Sequence, residues 1–318
     1  MDAGLCVHSP IHWPGFGSRL ERLANANLLD VALRPLLTAE PAVVITTHPL
    51  VADLVSRYPS LNWAYYIVDD LSVWPGLDGE TLRRMEARML PVMRTVVAAS
   101  EVLQRRIQAE GRTAQLLTHG VDLGLWADIA RGPLCGPGRR PVALYWGHAD
   151  ARLDVEICLA VAERCDLHMV GPRRGVDARL FGHPGILWRN PVPYGALPRV
   201  AAAADVLVMP YARLPVTEAM QPLKLKEYLA TPLPVISTRL PSTGPWADAL
   251  DLADDPATFA SLCVRRAGQK LLPSQALARK RLVAEGWDEK AQVFESMLGL
   301  RAPTPRVPWL SRSSIPVS

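Results

Sequence analysis

Residues 206–238 read VLVMPYARLPVTEAMQPLKLKEYLATPLPVIST, and this stretch decides the fold. The pattern predicts a buried strand that ends at Pro210, a polar loop, a short helix and a second buried strand. Pro222 suits the first helical position, because an amide hydrogen there has no partner within the helix. Lys224 and Glu227 are then predicted in the first turns of a helix at the carboxyl edge of a parallel sheet, where ligands bind.

Two interpretations of Lys224 and Glu227 remain open at this point. A helix N-terminus attracts phosphate, a lysine there neutralises phosphate charge, and a carboxylate one turn later accepts hydrogen bonds from sugar hydroxyls. The same pair fits solvated charges on an exposed helix face equally well. Spacing alone does not decide between a ligand site and ordinary surface.

Length and composition indicate a globular protein with two domains. The chain has 318 residues, of which 49% are hydrophobic and 21% charged, and its net charge is only +4. That balance argues against a dedicated nucleic-acid binder, although a basic patch could still face anionic lipid. The first residues do not show the pattern expected of a signal peptide, and no run of apolar residues is long enough for a transmembrane helix. Five scattered cysteines predict free, buried thiols, so we expect a cytoplasmic protein.

Strand and helix patterns alternate along the chain, which predicts two α/β units with parallel sheets. The first unit begins with a loop and a helix over SRLERLANANLLDVALRPLL, with arginines opposite its apolar face, and it has only about four strands. Its sheet is therefore predicted to be shortened, unless the natural start lies upstream of Met1. The predicted organisation is a first domain (1–126), a linker (127–140), a second domain (141–283), a helix crossing back (284–300) and a disordered tail (301–318).

Several stretches together resemble the family 4 glycosyltransferases of GT-B fold, especially the bacterial polysaccharide and teichuronic-acid-type branch. In order they are YYIVDD, VVAASEVLQRR, THGVD, YWGHADARLD, VPYGALPRVAAAADVLVMPY, QPLKLKEYLATPLPVIST and GWDEKAQVF, within residues 30–298. The resemblance implies two Rossmann-like domains facing each other across a cleft. It places a nucleotide diphosphate sugar mainly on the second domain and the acceptor mainly on the first.

The resemblance also implies donor ligands in the opening stretch. Glu227 matches the second of the family's two paired glutamates, which holds the donor ribose. Lys224 and the backbone around Pro222 and Leu223 would face the diphosphate or the sugar. The first paired glutamate falls at Ala219, and Glu218, one place away, is the candidate substitute.

Further donor ligands are implied near the start of the second domain. Gly147 matches the glycine where backbone approaches the phosphates, and Val192 to Tyr194 match the segment that borders the base. The cations that neutralise the diphosphate would come from GHADARLD, where Arg152 is favoured over His148.

Asp69 and Asp70 are the catalytic candidates, since they fall near the family's first-domain histidine at the end of a predicted strand. They could orient the acceptor, or they could merely cap the next element. Adjacent carboxylates lack the spacing of a metal-binding DxD motif, so we expect neither a metal nor a cofactor.

The sequence thus predicts a retaining glycosyltransferase that acts without a metal on a polysaccharide or lipid-linked acceptor, at the inner face of the cell membrane. Six arginines of the first domain would contact an anionic membrane surface or form an ordinary solvated face: Arg83, Arg84, Arg88, Arg94, Arg105 and Arg106. An epimerase of the same fold is a second enzyme hypothesis, against which the EYLA stretch argues. A degenerate or truncated GT-B chain, which binds a nucleotide sugar or a partner without catalysis, is the alternative outside enzymology.

Overall fold

Two parallel sheets organise the computed structural model, which describes residues 6–127, 129 and 138–300. The strands of the first sheet are β1 (Val44–Thr46), β2 (Trp63–Ile67), β3 (Thr95–Ala98) and β4 (Gln115–Leu116). They pair in chain order. The strands of the second sheet are β5 (Val142–Trp146), β6 (Asp166–Val170), β7 (Ile186–Arg189), β8 (Val206–Met209), β9 (Val235–Ser237) and β10 (Asp251–Leu252). Their order is β10–β9–β8–β5–β6–β7.

Helices connect these strands and cover the sheets. The first domain contains α1 (Arg19–Leu37), α2 (Ala52–Val55), α3 (Gly79–Met89), α4 (Glu101–Ala109) and α5 (Leu123–Trp126). The second contains α6 (Val155–Arg164), α7 (Ala178–Phe181), α8 (Leu197–Ala202), α9 (Pro215–Ala219), α10 (Leu223–Ala230), α11 (Pro256–Arg266) and α12 (Pro273–Arg279), and α13 (Trp287–Met297) follows. Short 3-10 turns span Pro49–Val51, Leu71–Val73, Leu90–Val92, Tyr194–Ala196, Pro241–Trp246 and Lys280–Glu285. Within the described ranges, no helix has the length and apolar character needed to span a membrane.

Side-chain caps explain where the longer helices begin. A serine or aspartate before the first turn accepts a hydrogen bond from a backbone amide that has no partner within the helix. The residues that do so are Ser18, Asp78, Ser100, Asp154 and Asp255. The local sequence thus helps to set these boundaries.

The second sheet changes direction at β5, and this change positions the candidate site. From β5 the chain adds β6 and β7 on one side, and then returns to place β8 on the other. Such a switch point opens a crevice at the carboxyl ends of the two central strands, where ligands of α/β proteins bind. Gly147 follows β5, and the part of residues 206–238 that contains α9 and α10 follows β8. Both predicted donor segments therefore meet at this crevice.

The two domains contact each other directly. Ser100 Oγ donates a 2.5 Å hydrogen bond to the carbonyl of Ala219, and the methyl group of Ala219 packs into the core of the first domain. Helix α13 also reaches the first domain, where the ring centroids of Phe294 and Tyr66 lie 5.3 Å apart. The two domains are therefore held together by direct side-chain and backbone contacts at their interface.

Lys226 of α10 is the most buried charge at this interface, with 2% of its surface exposed. Its ammonium donates to Thr118 Oγ1 at 2.9 Å, to the carbonyl of His119 and to Glu285 Oε2. Burial lowers the pKa of Lys226 to about 8, against the opposing effect of Glu285. All three ammonium donors have acceptors, so the charge is compensated where the domains meet.

Four expectations from the sequence need correction. The loop predicted between β8 and α10 contains α9, because Pro215 starts a turn in which the backbone amide of Leu214 donates to Thr217 Oγ1 at 2.8 Å. Helix α10 begins at Leu223, one residue after Pro222. After the strand at 234–238 the sequence predicted only a helix near 256–266, but the edge strand β10 forms between them.

The fourth correction concerns arginines. Arg22 of α1 turns inward to the carbonyls of Phe16 and Gly17, and Arg106 of α4 forms a largely buried ion pair with Glu86. Neither guanidinium joins an outer basic face, since each satisfies polar groups inside the first domain.

Two predicted segments fall outside the described residues. They are most of the linker, including Cys135, and the whole tail. The described cysteines are free thiols; Cys158, Cys165 and Cys263 are buried, whereas Cys6 is exposed.

Replacing Lys226 by methionine tests the interface. The variant keeps the volume but removes the ion pair with Glu285 and the hydrogen bond to the His119 carbonyl, so we expect a loss of about 2 kcal/mol in the free energy of unfolding. Urea denaturation measures it, with Lys270→Met, at an exposed position, as the control. Equal stability of the two variants would contradict the role of Lys226.

Candidate functional site

Gly147, at the end of β5, lets backbone approach the crevice closely. Its φ of 125° lies in a region that side chains rarely adopt, and a Cβ atom there would lie 2.5 Å from Lys224 Nζ. Gly171, after β6, meets the same turn, because its Cβ would lie 2.2 Å from the Gly147 carbonyl oxygen. At this turn the two glycines therefore bring backbone, without a side chain, close to the Lys224 ammonium.

Lys224 is buried beneath this turn, with 9% of its surface exposed. Its ammonium donates to the hydroxyls of Tyr145 at 2.7 Å and Tyr211 at 2.6 Å, and it lies 4.0 Å from the centroid of the Tyr145 ring. Burial lowers the pKa of Lys224. Two of its three donors are engaged, so a third is available to a ligand. A solvated surface charge is excluded for this residue.

Glu227 lies one turn further along α10 and is half-buried. Its Oε2 accepts a 2.8 Å hydrogen bond from Trp146 Nε1, and burial raises the pKa of its carboxyl group. Trp126 stacks on Trp146 with ring centroids 5.3 Å apart, and the Tyr194 ring meets the edge of Trp126 at 6.3 Å. Glu227 therefore sits in an aromatic wall that suits a ribose and a base.

Arg152 extends from the loop after β5 toward the first domain. It forms a bidentate pair with Asp150, with Nη2 2.7 Å from Oδ2 and Nε 2.9 Å from Oδ1. Its guanidinium also lies 4.9 Å from the centroid of the Trp74 ring of the first domain. This cation thus spans the cleft and is held in place by a carboxylate and an aromatic face.

Asp69 and Asp70 separate into different roles. Asp70 caps the turn after β2 by accepting from the amide and hydroxyl of Ser72 at 3.0 and 2.6 Å, and it lies 3.5 Å from Arg106. Asp69 is half-buried, and burial raises its pKa to about 6, although Arg152 opposes the shift. The capping interpretation therefore fits Asp70, whereas Asp69 lies within electrostatic reach of Arg152 of the second domain.

The remaining predicted residues fall in three places. Tyr194 meets Trp126 in the wall around Glu227, whereas Val192 packs against the core of the second domain. Pro222 is buried and Leu223 is 48% exposed at the start of α10. Glu218 pairs with Arg213 at 3.0 Å and does not join the cluster.

Sequence reasoning missed the residues that hold these groups. Tyr145, Trp146 and Tyr211 lie within or just after the central strands, where aromatic side chains look like ordinary core. The sequence could have predicted the role of Asp150, because an aspartate two residues before Arg152 is close enough to pair with it. Trp74 had none. Among the described residues, no three His, Cys, Asp or Glu side chains cluster as a metal site requires.

A separate cavity of about 470 Å³ lies elsewhere at the domain interface, and its lining includes Thr118, Gln221, Lys226 and Trp246. None of the predicted donor or catalytic residues lines it. The chemistry of the switch point, rather than the volume of this cavity, identifies the candidate site.

Comparisons with known proteins agree with this architecture. No protein-family model matches the chain. The putative teichuronic acid biosynthesis glycosyltransferase TuaH of Bacillus subtilis (strain 168) is 25% identical over 212 residues, which cover 60% of this chain and 52% of that protein. The chain thus spans about half the length of this curated relative.

Solved structures extend the likeness to nearly the whole chain. Sucrose-phosphate synthase from Thermosynechococcus elongatus has a TM-score of 0.68 at 16% identity, covering 93% of this chain and 86% of that one. Anabaena HepE in complex with UDP-glucose has a TM-score of 0.63 at 15% identity, covering 88% and 84%. A trehalose-6-phosphate synthase, studied for glycosyl transfer with retention, has a TM-score of 0.65 at 13% identity, covering 89% and 79%. These proteins are GT-B glycosyltransferases, so the predicted fold and the predicted resemblance are confirmed.

Replacing Asp69 by asparagine tests its environment. A carboxyl group whose pKa is raised on folding stabilises the protein at low pH and loses that contribution as the pH rises through about 6. Asparagine does not titrate, so the variant should gain about 1–2 kcal/mol over the wild type between pH 4 and pH 7. Urea denaturation at both values measures this, and Asp288→Asn, exposed on α13, is the control. If the difference in unfolding free energy between Asp69→Asn and the wild type were the same at both pH values, the burial of Asp69 would be contradicted.

Replacing Gly147 by alanine tests the close approach to Lys224. Gly175 has φ of 66° and no atom within 4 Å of the position that a Cβ would take, so Gly175→Ala gives the cost of an alanine at positive φ in open space. We expect Gly147→Ala to lose about 1–3 kcal/mol more in unfolding free energy than Gly175→Ala, because Lys224 must also move. Equal losses in urea denaturation would contradict the contact.

Proposed function

We propose that the chain transfers a sugar, with retention, from a nucleotide diphosphate sugar to a glycan or lipid-linked acceptor. The observation that carries the proposal is the grouping of Gly147, Lys224 and Glu227 at the switch point of the second sheet. Backbone amide, ammonium and carboxylate are the groups that a diphosphate and a ribose require. The curated relative named for teichuronic acid biosynthesis supports a polysaccharide acceptor.

The charged groups around the Gly147 turn suggest how the donor would bind. The diphosphate would lie against the turn at Gly147, with Arg152 turning from Asp150 to the phosphates and the third donor of Lys224 completing the contact. The ribose would donate to Glu227, and the base would lie beside Val192 and Tyr194. Cations fixed in a partly dehydrated cleft stabilise the charge that develops on the leaving diphosphate.

The transfer step needs an oriented acceptor hydroxyl. In a retaining reaction the bond from the sugar to the diphosphate oxygen breaks, and the acceptor oxygen bonds to the same carbon on the same face. The acceptor proton ends on the leaving nucleoside diphosphate. Asp69 would hold the hydroxyl by accepting its hydrogen bond, and a pKa near 6 keeps Asp69 largely ionised at neutral pH.

Binding without transfer is the second candidate, and Ala219 favours it. At this position the resemblance implies a glutamate, but the Ala219 methyl packs in the first domain and its carbonyl accepts from Ser100. Glu218 is turned to Arg213 and leaves the cluster without a second carboxylate from α9. Such a chain would hold the donor and serve a partner.

Calorimetric titration with UDP-, GDP- and dTDP-sugars tests donor binding. At least one donor should bind, and Glu227→Gln should weaken it by roughly tenfold or more, since one good ribose hydrogen bond to a charged group is lost. Glu218→Gln is the matched control and should leave the dissociation constant unchanged. If no nucleotide sugar binds the wild type, both candidate functions fail.

Hydrolysis or transfer of the donor that binds separates the two candidates. The transferase hypothesis predicts turnover that falls at least ~100-fold in Asp69→Asn with donor affinity retained. Tight binding without turnover on any glycan acceptor would favour the binding protein.

A further inference from the structure

The cavity of about 470 Å³ at the domain interface is lined by polar groups that have no partner in the folded chain. We call it the interface cavity. Leu116 and Thr118 of the first domain line it, together with Gln221 and Trp246 of the second. Its volume falls within the range of small-ligand pockets, roughly 300–1,000 Å³. Volume alone does not make a site, so the argument depends on the lining groups.

Gln221, directly before Pro222 and α10, is the clearest of these groups. Only 8% of its surface is exposed, and it lines the interface cavity. Its side-chain amide nevertheless forms no hydrogen bond with any other described residue. A buried amide without a partner costs free energy, because its hydrogen bonds to water are lost. A ligand in the cavity would supply the donor and the acceptor that this amide lacks.

Ser242, after β9, is a second lining residue with the same property. It is 7% exposed, and its Oγ has no hydrogen-bond partner among the described residues. Rotation about a single side-chain bond turns this hydroxyl toward a ligand. Buried polar groups are normally paired, so two unpaired groups on one cavity indicate a ligand that pairs with them.

The charges of the interface cavity are already compensated, which argues against a phosphate ligand. Three cations line it: Lys226, Lys290 and Arg281. The two lysines share Glu285, and Arg281 forms a bidentate pair with Asp248 at 2.7 and 2.8 Å. Glu101, at the start of α4, adds a lining carboxylate that pairs with no described cation. A neutral ligand with hydroxyl groups can donate to such carboxylates, whereas an anion would be repelled by them.

The rest of the lining is largely apolar. Leu116, Pro245 and Trp246 contribute carbon surface to the interface cavity. A sugar ring carries hydroxyl groups at its edge and C–H groups on its faces. It therefore matches a pocket that combines apolar surface with a few groups able to donate and accept hydrogen bonds.

We propose that the interface cavity binds a short neutral saccharide at a site separate from the donor crevice. Neighbouring hydroxyls would donate to the amide oxygen of Gln221 and accept from its NH₂ group, and a further hydroxyl would donate to Glu101. Because both domains line the cavity, the bound sugar would bridge them and stabilise their contact. None of the predicted donor or catalytic residues lines the cavity, so the proposal is independent of the proposed glycosyl transfer.

Saturation-transfer NMR titrations without nucleotide test the site, with glucose, N-acetylglucosamine, maltose and lactose as probes. At least one probe should bind the wild type. Gln221→Leu should weaken that binding roughly fivefold or more, because it removes a hydrogen-bonding group at similar volume. Ser242→Ala should weaken it as well. Gln108→Leu, at an exposed position of α4 outside the cavity, is the matched control and should bind as the wild type does.

Urea denaturation separates loss of the site from loss of the fold. Because the Gln221 amide has no partner in the free chain, Gln221→Leu should leave the unfolding free energy unchanged or raise it. A less stable Gln221→Leu would show that the amide serves the fold, and would overturn the proposal.

The location and the ligand class have tests of their own. Asp69→Asn and Glu227→Gln should retain saccharide binding. If either abolished it while Gln221→Leu did not, the sugar would occupy the proposed donor or acceptor site, and the interface cavity would be ruled out. Glucose 6-phosphate should bind more weakly than glucose, and the reverse order would overturn the neutral class. Absence of binding by every probe at tens of millimolar would overturn the proposal altogether.

Discussion

Burial of two lysines on one short helix constrains the whole molecule. Lys224 and Lys226 of α10 are both at least nine-tenths buried, and each needs hydrogen-bond acceptors that water cannot supply. Lys224 finds the hydroxyls of Tyr145 and Tyr211 in the second domain, whereas Lys226 finds acceptors beside β4 and at Glu285. The rotation of α10 is thereby fixed from two sides, and Glu227 is directed to the crevice.

The same helix links the donor cluster to the domain interface. Because Lys226 and the Ser100–Ala219 hydrogen bond join the domains, Arg152 of one domain stays against Trp74 of the other. Asp69 is consequently buried near a cation that belongs to the opposite domain, which sets the environment of its carboxyl group. Where the resemblance implies a glutamate, Ala219 packs at the domain interface instead. The proposed donor side of the cleft therefore contains more of the expected polar groups than the proposed catalytic side.

Local patterns predicted the fold and part of the site. The strand–helix–strand pattern of residues 206–238 placed Lys224 and Glu227 at the carboxyl edge of a parallel sheet, because hydrophobic periodicity and proline positions act over a few residues. The hydrogen bond from Trp146 to Glu227 joins positions 81 residues apart, and no local pattern encodes it. The inward turn of Arg22 likewise depends on tertiary packing. The two adjacent aspartates are distinguished only by the cap that Asp70 forms in the folded chain.

A crystal structure of the chain with its tightest-binding nucleotide sugar tests the site most directly. The diphosphate should lie at the Gly147 turn within hydrogen-bond distance of Arg152, with a ribose hydroxyl on Glu227. A nucleotide found instead in the cavity lined by Thr118, Gln221 and Trp246, or one that leaves Glu227 and Lys224 untouched, would contradict the assignment of the donor site.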